Sequence, residues 1–202
     1  MNNVHPQLET IFTWLPERCP SIFIAGGAAA DYDKASDVDI WFPAAAADEA
    51  LRFINRFTVN ALTKADEQLN NDIGAVVTPD YVGSNSKSVV IGVVWHPSVA
   101  KPIQIMLNTT ESSYKLMNTF DLSCHAIAIH SDGKVVLGKY YTPLDKPIRV
   151  RSGSSLSLSR YIKMCSRYNQ EINFSQLDDT FLLHLNHYGL DKYLHDTKPA
   201  EP

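Results

Sequence analysis

Two aspartates, Asp37 and Asp39, stand one residue apart in the sequence. Val38 and Ile40 alternate with them, and this pattern predicts a β-strand over residues 38–42. Alternate side chains of a strand share a face, so both carboxylates would point to one side of the sheet while the apolar residues enter the core. Two carboxylates on one face provide the hard oxygen ligands that Mg²⁺ prefers.

A pair of glycines, Gly26 and Gly27, precedes the aspartates. The apolar residues 21–25 predict a short buried strand before the glycines, and the alanine-rich residues 28–32 predict a helix after them. A helix that starts at a glycine turn offers free backbone N–H groups and the positive end of its macrodipole, both of which favour a phosphate. Either motif alone is usually an ordinary turn, but together they outline a site for a Mg²⁺–nucleotide.

The combined motif resembles the signature of the DNA polymerase β-like nucleotidyltransferase superfamily. That signature is an apolar residue with Gly-Gly or Gly-Ser, a spacer, and then Asp-apolar-Asp/Glu-apolar. Ser36, directly ahead of the first carboxylate, belongs to the matching segment and is predicted to bind nucleotide together with the glycines. The signature reads here Ala25-Gly26-Gly27, the spacer 28–36, and Asp37-Val38-Asp39-Ile40.

Two segments resemble the poly(A) polymerase and CCA-adding branch of this superfamily. Residues 26–31 are similar to its Gly-Gly-x-x-Arg-Asp motif, with Asp31 at the acidic position and Ala30 in place of the arginine. Residues 120–128 are similar to its Arg-Asp-Phe-Thr-Ile-Asn-Ala segment, where Asp121 matches the acid. Small phage and bacterial nucleotidyltransferase-like proteins show a similar strand ending in Gln, followed by Phe-Asp-apolar. The likeness covers residues 20–140.

The resemblance implies an α/β (α+β) fold with a nucleotidyltransferase core whose mixed sheet is flanked by helices. We expect this core over residues 1–147, a helical C-terminal appendage over 148–195 and a flexible tail over 196–202. The implied reaction moves a nucleoside monophosphate from an NTP to an acceptor hydroxyl, with Mg²⁺ or Mn²⁺ held by Asp37 and Asp39.

The 3′ end of an RNA or tRNA is the first candidate acceptor in this reaction. Two alternatives stay open. One is a nucleotide-binding module with little or no turnover. The other is a toxin or phage effector that transfers a nucleotide to a host tRNA or protein.

Enzymes of this superfamily normally carry a third carboxylate on a strand beside the aspartate pair, so that two metal ions can be held. The strand predicted over residues 102–107 has Gln104 as its polar interior residue, and an amide oxygen ligates a metal without adding charge. We therefore expect Gln104 in this position, with Asp121 as the rival and Asp80, in a predicted turn, as a third candidate. Nucleotide binding would then be retained while turnover would be slow.

The charge of the chain is unevenly distributed. A formal net charge of −4 argues against broad, non-specific binding of nucleic acid. On the helix predicted over 156–168, Arg160, Lys163 and Arg167 share one face, which is either a solvated surface or a basic wall for the triphosphate or an RNA backbone. We predict that Arg160 and Lys163 contact the nucleotide. The full basic stretch comprises Lys139, Lys146, Arg149, Arg151, Arg160, Lys163 and Arg167.

The remaining pattern predicts the elements that position these residues. His184, His187 and His195 lack further zinc ligands at recognisable spacing, and His125 and His130 are predicted at opposite ends and on opposite faces of one strand. We expect helices over 7–15, 44–57, 112–118, 156–168 and 176–188, a further helical turn within 63–71, and strands over 89–95, 102–107, 124–130 and 135–137, of which the first two pair antiparallel.

The cysteines and the lack of apolar stretches bear on the cellular compartment. Cys19, Cys124 and Cys165 are widely spaced, which predicts buried free thiols in a reducing environment. The polar N-terminus is unlike a signal peptide, and no stretch approaches the length of a membrane span. The sequence therefore predicts a cytoplasmic protein of a bacterium or a phage-infected cell, without a membrane partner.

Overall fold

The computed structural model of the chain describes residues 4–15, 21–65, 75–76, 88–96, 98–108, 110, 112–151 and 158–173. The elements within these ranges alternate between helices and strands. Their order is α1 (Pro6–Trp14), β1 (Phe23–Ala25), α2 (Gly27–Ala30), β2 (Val38–Pro43), a 3₁₀ turn (Ala44–Ala46), α3 (Ala47–Ala65), β3 (Ala75–Val76), β4 (Ser88–His96), β5 (Val99–Asn108), α4 (Ser113–Met117), a second 3₁₀ turn (Ser123–His125), β6 (Ile127–His130), β7 (Val135–Leu137) and α5 (Leu158–Arg167).

The strands form one mixed sheet in the order β3-β4-β5-β2-β1-β6-β7. β2 and β5 run parallel, and the other neighbouring pairs are antiparallel. A parallel pair needs a crossover, and the chain supplies it through α3, β3 and β4 between the two strands. The mixed sheet flanked by helices confirms the predicted fold class, including the antiparallel pairing of β4 with β5.

The two faces of β2 differ as the alternation predicts. Val38, Ile40 and Phe42 are fully buried in the main core, which also contains apolar side chains of α1 and α3. Asp39 and Trp41 point to the opposite face, since neighbouring residues of a strand alternate. On that face Trp41 belongs to a smaller apolar cluster with Phe23, Met106, Leu116 and Met117, covered by α4.

The predicted strand over 124–130 is wrong in its first half. The chain forms a 3₁₀ turn at Ser123–His125, and β6 begins only at Ile127. Long-range hydrogen bonds to Ser123 favour the turn: its backbone N–H donates to Arg149 O over 2.8 Å, and its hydroxyl accepts from Arg149 N over 2.9 Å and from the hydroxyl of Thr142. His125 is therefore not at the end of a strand opposite His130.

α5 packs against the segment that contains this turn. The shared apolar cluster buries Leu122, Cys124 and Ile148 from one side. The helix contributes Tyr161, Met164 and Cys165, and Tyr168 just past its end completes the cluster. Cys124 and Cys165 are buried free thiols, as predicted.

Several predictions fall outside the described residues. These are the helix over 176–188, the histidines 184, 187 and 195, Cys19, Asp80, the turn beyond residue 65 and the tail. Among the described residues, no helix combines the length and apolarity that crossing a membrane requires.

Candidate active site

The parallel pairing of β2 with β5 brings three of the predicted site residues together. Asp39 lies opposite Gln104 in the register of the two strands. The Gln104 side-chain amide donates a hydrogen bond from Nε2 to Oδ2 of Asp37 over 2.7 Å, and Ser36 Oγ donates to the other oxygen, Oδ1, over 3.1 Å. Gln104 therefore stands beside the aspartate pair, where the sequence placed it, and its amide N–H holds one carboxylate.

The two carboxylates lie close enough to repel each other. Burial and, after it, the negative charge of Asp37 raise the pKa of Asp39 to about 7, against the opposing effect of the positive charge of Arg160. Neutral amide and hydroxyl donors do not cancel this negative charge, so the site favours a cation.

The donor set fits a divalent cation of the Mg²⁺ type. Asp37 and Asp39 supply hard anionic oxygens. Gln104 can supply a neutral oxygen if its side-chain amide flips, so that the oxygen takes the place of the NH₂ group. Among the residues that the structure describes, no group of three His, Cys, Asp or Glu side chains could hold a metal. Within that part of the chain, a cation at this site would have two carboxylates and not three.

The glycine turn lies against the second carboxylate. Gly26 has a φ of +79°, a conformation that side chains rarely adopt, and a Cβ there would lie 3.3 Å from Oδ2 of Asp39. Gly27 is the first residue of α2, and a Cβ there would make ordinary contacts, 3.7 Å from Ala35 Cβ and 3.9 Å from Nε2 of His125. Of the two glycines, only Gly26 has a backbone conformation that disfavours a side chain.

The helix after the glycines is shorter than the sequence suggested. α2 has four residues, Gly27–Ala30, and ends at Asp31. A single turn of helix sums few peptide dipoles, so the macrodipole adds little here. The capacity of the turn to hold a phosphate rests on its free N–H groups and on the absence of a side chain at Gly26.

Asp121 is engaged with cationic residues. Its carboxylate Oδ2 lies 3.6 Å from Nη1 of Arg160, and its backbone oxygen accepts a hydrogen bond from Arg151 N over 2.8 Å. The carboxylate of Asp121 is thus paired with a cationic side chain. Arg160 lies on α5, and its charge reaches Asp39 and His125. Lys163 is exposed one turn further along α5, and the roles of both basic residues stay predictions.

The sequence analysis missed His125 as a site residue. Its ring faces Gly27, and Nε2 lies 3.1 Å from Oη of Tyr168. Burial lowers the pKa of His125 to about 4, so the imidazole is neutral near pH 7. Asp121 and Asp37 act against this shift, whereas Arg160 and Arg167 act with it. The sequence did contain a signal for His125, since it lies within the 120–128 segment that resembles the family motif. The strand predicted over 124–130 hid that signal, because it placed His125 at the end of a strand.

The fold is similar to that of CCA-adding and tRNA-processing enzymes of known structure. It is similar to a CCA-adding enzyme solved with ATP (TM-score 0.57, 18% identity, 96% of this chain and 46% of that chain). A structure of a CCA-adding enzyme with CTP matches with a TM-score of 0.55 and 17% identity over 96% of this chain and 46% of that chain. A tRNA-processing enzyme in an apo form matches with a TM-score of 0.55 and 17% identity over 94% and 48%.

The chain thus spans less than half the length of these solved structures. A scan against protein-family models found no match, and a search of curated proteins found none either. At this level of identity the structural likeness establishes the fold, and the chemistry must be argued from the side chains of this chain.

The raised pKa of Asp39 predicts a pH-dependent gain in stability from Asp39→Asn. Above pH 7 the ionised Asp39 destabilises the metal-free fold. Below pH 7 Asp39 takes up a proton in the folded protein but not in the unfolded chain, so this destabilisation diminishes as the pH falls towards 4. In a chelator at pH 8, Asp39→Asn should raise the free energy of unfolding by on the order of 2 kcal/mol, with a smaller gain at pH 5. Urea denaturation at both pH values measures this. A variant less stable than wild type at pH 8 would contradict the electrostatic account.

The glycine turn predicts unequal effects of two matched substitutions. Gly26→Ala adds a methyl group at positive φ against Oδ2 of Asp39, so it should weaken the binding of Mg²⁺–ATP strongly. Gly27→Ala adds the same group where the contacts are ordinary, so its effect should be small. Calorimetric titration of both folded variants makes the comparison. Equal affinities would reduce Gly26 to a structural residue.

Proposed function

We propose that the protein is a divalent-metal-dependent nucleotidyltransferase that moves a nucleoside monophosphate from an NTP to an acceptor hydroxyl. The observation that carries this proposal is the pairing of Asp39 with Gln104 on adjacent parallel strands, with Asp37, directly ahead of β2, bonded to Gln104 and Gly26 against Asp39. The fold supports it, since the similar solved structures include CCA-adding enzymes with ATP and with CTP.

Each site residue has a role in this proposal. Asp37 and Asp39 hold Mg²⁺, or Mn²⁺ as the alternative, and Ser36 and Gln104 orient Asp37 through its two oxygens. Bound there, the cation would offset charge on the triphosphate and lower the pKa of the acceptor hydroxyl. The turn at Gly26 and Gly27 presents backbone N–H groups to the β- and γ-phosphates.

The basic face of α5 supplies the positive side of the site. Arg160 is held by Asp121 and its charge reaches Asp39, which supports the proposal that its guanidinium meets the triphosphate. Lys163 extends this face into solvent. A guanidinium can contact two phosphate oxygens at once, which favours Arg160 as the stronger of the two contacts.

The first candidate acceptor is the 3′ hydroxyl of an RNA, with a tRNA as the leading example. The similarity to CCA-adding and tRNA-processing enzymes supports this choice. A protein hydroxyl is the alternative acceptor, as it would be for a toxin or phage effector.

A second candidate function is a nucleotide-binding module with little turnover. Gln104 favours it, because its amide donates to Asp37 and adds no negative charge where a third carboxylate would normally stand. A site with two carboxylates can still hold a metal–triphosphate, while activation of the acceptor hydroxyl would be weak.

A transfer assay tests the proposed reaction and the aspartate pair together. The protein is incubated with each α-labelled NTP, with Mg²⁺ or Mn²⁺, and with total RNA or total protein; label should appear in RNA. Asp37→Asn combined with Asp39→Asn should reduce transfer by roughly 100-fold or more, since preorganised charge at the reacting phosphate is lost.

Asp132→Asn is the matched control for this assay. It makes the same chemical change in the exposed hairpin turn, at the other end of β6 from the site, and asparagine can still accept the hydrogen bond from Lys134 N. Its activity should equal that of wild type. Label in protein alone would replace the RNA acceptor, and transfer that survives the double substitution would place the site elsewhere.

The Gln104 position predicts a gain of function. Gln104→Glu should accelerate transfer several-fold and reduce any preference for Mn²⁺ over Mg²⁺, because it adds a charged oxygen beside Asp37. The same assay, run with each metal, compares it with Asp121→Asn. If Asp121→Asn abolishes transfer while Gln104 substitutions change nothing, Asp121 is the third catalytic acid.

A further inference from the structure

Two polar side-chain contacts join α5 and the residue after it to the segment beside the glycine turn. Near the start of the helix, Arg160 Nη1 lies 3.6 Å from Oδ2 of Asp121. Just past its end, Oη of Tyr168 lies 3.1 Å from Nε2 of His125, with the two rings perpendicular at 78° and their centroids 5.9 Å apart. Asp121 precedes the 3₁₀ turn and His125 is its last residue, so one short segment contacts both ends of the helix.

The second of these points lies inside the protein. His125 is 7% exposed and Tyr168 is 5% exposed. The imidazole is neutral near pH 7, and burial raises the pKa of the Tyr168 hydroxyl to about 12, so both groups keep the protons that a hydrogen bond between them needs. Breaking this bond would leave a buried polar atom without its partner, which makes the contact costly to lose.

The same pair also contacts the glycine turn and the residues after α2. The His125 ring is one of the two side chains that a Cβ at Gly27 would contact, at 3.9 Å from Nε2. The ammonium group of Lys34 lies 5.6 Å from the centroid of the Tyr168 ring. The pair therefore joins α5, which carries Arg160, to the turn that would hold the phosphates.

We infer that His125 and Tyr168 are positioning residues that fix α5 against the glycine turn, so that Arg160 meets the β- and γ-phosphates of a bound nucleoside triphosphate. This inference rests on the proposed function. It assigns the pair an effect on ligands that carry those phosphates and none on a nucleoside monophosphate. Neither residue touches the reacting atoms.

The test compares Tyr168, just past the end of α5, with Tyr161 inside that helix. Tyr168→Phe keeps the ring and removes the hydroxyl that contacts His125. Tyr161→Phe is the matched control. The buried hydroxyl of Tyr161 accepts a hydrogen bond of 3.2 Å from the backbone N–H of Asn173 and is not hydrogen-bonded to His125. Dissociation constants for ATP and AMP in the presence of Mg²⁺ are measured by calorimetry, and thermal unfolding checks that each variant is folded.

Tyr168→Phe should raise the dissociation constant for ATP roughly fivefold to tenfold, about the value of one buried hydrogen bond, and leave that for AMP unchanged. Tyr161→Phe should leave the ATP-to-AMP ratio at its wild-type value. His125→Leu should reproduce the loss, and His125→Gln, which keeps a hydrogen-bonding group, should recover part of it.

A double-mutant cycle separates positioning from a general structural effect. If the pair acts through Arg160, then Tyr168→Phe should weaken ATP binding no further in an Arg160→Ala background. A full additional loss in that background overturns the inference, as does an equal loss of ATP and AMP affinity or an unchanged ATP affinity in Tyr168→Phe. A wild-type protein that binds neither ATP nor any other NTP overturns the proposed function and this inference together, whereas the outcomes above overturn the inference alone.

Discussion

The repulsion between Asp37 and Asp39 is the constraint on which the candidate site depends. Their strand leaves both carboxylates on one face, and the pKa of Asp39 rises to about 7 because burial and the charge of Asp37 both disfavour its ionised form. A fold without a use for that arrangement would be more stable with a neutral residue there. A bound cation would offset the electrostatic repulsion between the two carboxylates. Gly26, Gln104 and Arg160 are the residues that the fold places around them.

The parallel pairing of β2 with β5 turns this local motif into a site. It sets Asp39 opposite Gln104, and the crossover through α3 and β4 makes that register possible. The apolar faces of the same strands are buried in the core, so a slip by one residue would move every polar side chain to the wrong side. The site is thus held in place by the packing of residues such as Ile40 and Ile105, which take no part in its chemistry.

Sequence reasoning succeeded where the determinants are local. The alternation of β2 was predicted because periodicity acts over a few residues, and the fold class followed from the resemblance of the glycine and aspartate motifs to a known superfamily. Sequence reasoning failed at the 3₁₀ turn, which depends on hydrogen bonds that Ser123 accepts from the Thr142 hydroxyl and donates to Arg149 O. For the same reason it missed His125, whose partner Tyr168 is 43 residues away. The roles assigned to the site residues remain predictions.

The most direct test of the account is a crystal structure with Mn²⁺ and a non-hydrolysable ATP analogue, located by the anomalous signal of manganese. We expect a Mn²⁺ ion bonded to carboxylate oxygens of Asp37 and Asp39 at roughly 2–2.3 Å, with the triphosphate against Gly26 and the Arg160 guanidinium. Manganese and triphosphate bound elsewhere, with the two aspartates free of metal, would contradict it.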